Sequence, residues 1–170
     1  SLYDYGSVGG QRLSRVSFQR PLAERWRYGL DDWQPYLARW LDRRGIRADF
    51  CTDLDLHDEP AVLDGASLLV VAGHHAYWTR EARTTFDSRV AAGLNAALLA
   101  GQVMCWQARL EGTAVARSLV CFKDAALDPE PRATHMSGRW ADPALAKPEN
   151  SSVGLGSAGS KTWLRGDVRP

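Results

Sequence analysis

Little in this 170-residue sequence ties it to a membrane, a nucleic acid or an oxidising compartment. Its three cysteines, Cys51, Cys105 and Cys121, are an odd count with no Cys-x-x-Cys pair. That disfavours a disulfide framework and fits reduced thiols in a cytoplasmic protein. Cys51 and Cys121 fall at expected strand ends without a Gly-x-Cys-x-Gly elbow, and read as buried thiols. No apolar stretch nears the ~20 residues of a membrane span, and no signal peptide is recognisable. The formal net charge is only +1, which gives no reason to expect nucleic acid or an anionic membrane as a partner. Arg39, Arg43, Arg44, Arg47, Arg80, Arg83 and Arg89 are scattered, mostly on polar helix faces, and read as a solvated surface. Gly9-Gly10 and the Gly154-x-Gly156-x-x-Gly159 run do not sit in a strand-to-helix turn, so a dinucleotide fingerprint is disfavoured. The start at Ser1, with no Met, leaves a processed product or a fragment open.

What is present suits one domain over 1–170, with 45% apolar and 24% charged residues. The organising stretch is Ser67-Leu68-Leu69-Val70-Val71-Ala72-Gly73-His74-His75. Its unbroken apolar run reads as a strand buried on both faces of a parallel sheet. A second stretch, Ala96-Ala97-Leu98-Leu99-Ala100-Gly101-Gln102, has the same grammar: apolar strand, Ala-Gly, polar side chain, aromatic four residues on. Ligands of open α/β sheets collect beyond the carboxyl ends of strands. If the two strands are neighbours, His74 and Gln102 should enter one pocket.

Around these, residues 12–18 alternate like a first strand. Asp31-Asp32 opens a helix striped by Trp33, Tyr36, Leu37, Trp40 and Leu41 and closed by Gly45. Residues 46–51 read as the next strand, in a right-handed parallel crossover. Thr52 to Pro60 is polar, and its acidic residues suit capping and turns better than a hard-cation loop. One helical turn follows at 60–63. Thr79 caps a helix running to Ala92, with Ala82, Phe86 and Val90 inward. Residues 113–122 suggest another strand. From 124 to 150 the chain holds four prolines and little periodicity, a long loop; Trp163 gives the tail an anchor.

His74 owes its candidacy to its position; His75, adjacent on extended backbone, diverges from it unless the chain turns. Composition alone puts Glu149 in solvent. A set of motifs changes that reading. Ser1-Leu2-Tyr3, Val16-Ser17-Phe18-Gln19-Arg20-Pro21, Thr52-Asp53-Leu54-Asp55-Leu56-His57, Gly73-His74-His75-Ala76-Tyr77-Trp78, Trp106-Gln107-Ala108-Arg109-Leu110-Glu111 and Arg139-Trp140-Ala141-Asp142-Pro143 with Lys147-Pro148-Glu149-Asn150 occur in the order of the N,N-dimethylformamidase large-subunit family. Over residues 1 to about 150 the chain resembles that family.

The resemblance implies a three-layer α/β fold with a mainly parallel sheet, glutamine-amidotransferase-like (flavodoxin-like), and hydrolysis of the amide C–N bond of a small-molecule substrate. It implies iron held by tyrosines and a glutamate, with Tyr3 one such tyrosine. His74 would be the active-site histidine, Glu149 the acid/base and Gln102 the carbonyl's partner. Tyr77, Trp78 and Trp106 would wall the pocket. The motif's glutamate is Ala76 here, which cannot coordinate, and His75 is the nitrogen donor that could move in. Loss of that ligand leaves a second expectation: a catalytically degenerate member serving as a small-molecule-binding or assembly module. A homo-oligomer or a companion segment is expected to complete the protein.

Overall fold

The computed structural model describes residues 1–3, 7–20 and 33–156. Within them the chain runs β1 (Arg15–Ser17), α1 (Gln34–Arg43), α2 (Asp53–Asp58), β2 (Leu68–His74), β3 (Tyr77–Thr79), α3 (Arg80–Ala91), β4 (Asn95–Gly101), β5 (Trp106–Glu111), β6 (Ser118–Val120), β7 (Gly138–Arg139) and α4 (Asn150–Val153). This is an α/β fold, as expected, but its sheets are mixed. β2 pairs with β4 and β3 with β5 in parallel. The β1–β6, β6–β5 and β5–β7 pairs are antiparallel.

The expected crossover from the first strand is corrected. β1 lies antiparallel to β6, and residues 46–51 form no strand. Phe50, within that stretch, is 79% exposed. A short β-like pattern needs a partner edge to become a strand, and pairing rather than local preference decides it. The stripe on α1 is real in sequence, yet no residue of that helix is buried. Its presumed opening residues, Asp31 and Asp32, lie outside the described residues, as does the Trp163 anchor. β2 is likewise not buried on both faces: only Val71 is fully covered.

The core forms where helical period and cap agree. Thr79 Oγ1 accepts from the Ala82 amide at 3.1 Å, which starts α3. That places Ala82 and Phe86 against Trp78, Leu56, Leu63, Met104 and Trp140 in the main apolar cluster. Thr79 also meets His57 Nδ1 at 2.8 Å, so it ties α3 to α2. The Thr79→Ala variant is therefore expected to lose about 1 kcal/mol or somewhat more in urea unfolding; unchanged stability would show the cap to be idle. α2 itself was expected only as a turn. Thr52 and Asp55 make a reciprocal capping box, and that turns the acidic stretch into helix.

Residues 124–150 are mostly loop, as expected, yet tightly held. Ser137 and Trp140 are fully buried. Asp128 accepts from the Ser137 amide at 2.7 Å and hydroxyl at 2.6 Å, and from Arg109 at 2.5 Å. Burial alone would raise the Asp128 carboxyl, but the Ser137 and Arg109 hydrogen bonds outweigh it and hold the group below its ordinary range. The Gln107 amide donates to the Ala133 and Met136 carbonyls. Side chains thus satisfy loop backbone that has few ladder partners. Among the described residues no helix is long and apolar enough to cross a membrane.

Candidate functional site

The two Ala-Gly strand ends are neighbours, as their shared grammar suggests. His74 pairs with Gly101 at the end of the β2–β4 ladder, and the next ladder starts with Tyr77 opposite Trp106. His75 and Ala76 therefore face four residues, 102–105. The two extra residues form a bulge in which Gln102 and Met104 take left-handed backbone, φ 53° and 56°. Such angles cost a non-glycine residue about 1 kcal/mol or more and recur at functional sites. Here they are held by Met104 N–H donating to the His75 carbonyl (3.1 Å) and Trp106 N–H to the Ala76 carbonyl (2.8 Å).

The bulge splits the expected pocket in two. His74, His75, Tyr77 and Trp78 line a hollow of about 410 Å³. Gln102 and Glu149 line another of about 310 Å³, and no lining residue is common to both. The His74 ring lies against Gly101, its Nδ1 3.6 Å from where a Cβ on that glycine would stand. Gln102 follows directly. Trp106 is in neither lining; it packs instead beside Tyr3, Tyr77 and Leu2 in a second apolar cluster.

Glu149 is 4% exposed, so the solvent position suggested by composition is overturned. The cause is Arg83, which was grouped with the solvated arginines but is completely buried. Its guanidinium donates to the carbonyls of Lys147 (2.7 Å) and Pro148 (2.9 Å) and to the hydroxyls of Ser151 (3.1 Å) and Ser152 (2.8 Å). It also stacks on Trp140, 4.5 Å from the ring centroid. Burial pulls the Arg83 pKa down, while the charges of Asp87 and Glu149 push it back up. Arg39, Arg43, Arg44 and Arg47 are exposed. Sequence reasoning missed Arg83 because its partners lie 64 to 69 residues away. It missed Asp53 as well, which read as a cap. Asp53 also sits 3.3 Å from His75 Nδ1.

The residues present do not fit iron held by tyrosine and glutamate. Ala76 is 2% exposed and offers a methyl group where the carboxylate would be. Tyr3 packs edge-on to Tyr77, with its ring centroid 3.6 Å from the Lys123 ammonium, a cation that a metal ion would repel. His75 is turned to Asp53 rather than to Tyr3. Among the described residues, no three His, Cys, Asp or Glu side chains gather as a metal site.

Burial works against the thiols as nucleophiles by raising their pKa values. Burial pushes Cys121 up to about 11. Cys51, expected to be buried, is exposed; partial desolvation of its sulfur and the nearby Asp55 and Asp53 raise its pKa too. Access therefore separates the two. Iodoacetamide on the native protein at pH 8 should label Cys51 and spare Cys121 in peptide mass spectra. Equal labelling would contradict this packing.

The family model described as N,N-dimethylformamidase beta subunit-like, C-terminal, matches residues 1–169. No curated protein matches the chain, and no solved structure does. The family match supports a related hydrolase-like role in coarse terms.

Proposed function

Because the chain belongs to the N,N-dimethylformamidase beta subunit-like, C-terminal family, we propose that it hydrolyses the amide C–N bond of a small substrate at the ends of β2 and β4. The observation that carries this is a buried carboxyl, Glu149, sharing a hollow with Gln102 one residue beyond the glycine that His74 covers. The Gln102 side-chain amide would donate to the substrate carbonyl. Glu149 would take a proton from water as its oxygen adds to the carbonyl carbon. His74 would give a proton to the nitrogen as the C–N bond breaks, leaving acid and amine. No step passes through a metal ion.

The same reading takes β2, α3 and β4 as the heart of a three-layer, glutamine-amidotransferase-like core. A description as beta subunit-like fits a companion chain, or a second copy, that completes the protein. A second reading, a binding module that has lost catalysis, is favoured by Ala76. The test is amine release from a panel of small amides, followed by NMR on purified protein. Turnover of at least one amide is expected. A folded protein inert toward all of them would favour the binding module.

A further inference from the structure

We propose that the 410 Å³ hollow receives the apolar substituent of a neutral amide, an aryl or branched-alkyl group, while the amide itself is held at the His74–His75 rim. The proposal rests on the hydrolytic reading and adds to it the class of substrate. The walls are Phe18, Leu54, Ala76, Trp78, Leu110 and Leu119. The charged and imidazole side chains of the lining are Asp53, His74 and His75, and Thr52, Tyr77 and Thr79 add hydroxyl-bearing residues. A cavity of this size lies within the ~300–1,000 Å³ usual for small-ligand sites. The mainly apolar lining suits a ligand with an apolar body. An ionised group among these walls would lose its hydration without a partner, so the body must be uncharged.

Three details shape the hollow. Ala76, 2% exposed, puts a methyl group on the wall, where a charged side chain would stand among apolar ones. The Trp78 indole N–H donates to the His75 carbonyl at 3.0 Å, which fixes the largest wall residue. The Asp53 carboxylate lies 3.3 Å from His75 Nδ1. On this proposal a substrate with its body beside Leu54 and Leu119 has its amide at His74, whose ring lies against Gly101, the residue before the Gln102 that lines the hollow of Glu149.

The experiment uses the whole protein as its Glu149→Gln variant, so that binding is read without turnover. N-phenylformamide, N-cyclohexylformamide and formamide are titrated by ligand-observed NMR and Trp fluorescence, with benzoate as the charged control. N-phenylformamide is expected to bind at least tenfold more tightly than formamide, and benzoate far more weakly than N-phenylformamide. Leu54→Trp, which fills the hollow from the surface of α2, should erase that preference. Phe18→Ala, at a half-exposed wall position, should reduce it several-fold and serves if Leu54→Trp does not fold. Equal affinities, or a preference that survives both substitutions, would overturn the assignment. Tight, Leu54-dependent binding with no release of aniline by the unsubstituted protein would leave the hollow assigned and remove the hydrolytic reading. Turnover of formamide with no preference would do the reverse.

Discussion

Replacing Arg83 with methionine is expected to cost the folded protein about 3–5 kcal/mol, the range for breaking a buried, fully partnered charge network. Methionine fills much of the volume beside Trp140 but donates nothing. The Lys147 and Pro148 carbonyls, now bonded at 2.7 and 2.9 Å, would each lose that donor. Asp87 keeps Lys147 at 2.6 Å, so its charge stays paired and the loss falls on the backbone of the 147–152 segment. Arg83→Lys should lie between, because an ammonium cannot span two carbonyls and two hydroxyls with one planar fork. Denaturant unfolding would give the energies, and hydrogen exchange of residues 147–153 would show where they act. A variant within 1 kcal/mol of the parent, with that segment still protected, would mean that the guanidinium is not what holds Glu149 in place.

Glu149→Gln should lower amide turnover by roughly 10²–10⁴-fold, the span usually lost with a general base. Glutamine keeps the shape of the side chain at a site 4% exposed, so the fold should survive the change. It removes the negative charge that helps to sustain buried Arg83, and a stability loss on the order of 1 kcal/mol is expected alongside. The two effects are separable: activity should vanish under conditions where circular dichroism reports a folded chain. Full activity in the folded variant would send the search for the base to the other hollow, where His75 faces Asp53.

The elements most legible in the sequence were those fixed by neighbours along the chain. Thr79 followed by Ala82 and Phe86 specifies a capped, one-sided helix, and α3 is that helix. The twin Ala-Gly strand ends announced β2 and β4 but left their pairing as a condition, which the ladder meets. Residues 46–51 failed as a strand because an alternating pattern does not say which edge is vacant for it. The single pocket failed for a geometric reason: counting four residues on from His74 and from Gln102 equates Trp78 with Trp106, whereas the ladder sets Trp106 opposite Tyr77. Burial of Glu149 was invisible to composition, since the arginine that draws the segment inward is more than 60 residues earlier. The motif resemblance singled out that glutamate; it gave no hint of Arg83.

The 102–105 bulge also separates two problems that an uninterrupted sheet would merge. With the ladder offset by 27 residues on one side (His74 to Gly101) and by 29 on the other (Tyr77 to Trp106), the two halves cannot slide as one. A slip of either half would be checked by the other, much as a vernier is checked by its main scale. The short span between them can then vary in length or residue type and redirect the Gln102 side chain while both halves keep their alignment. Chemistry at this rim is thereby open to revision without rebuilding the sheet beneath it.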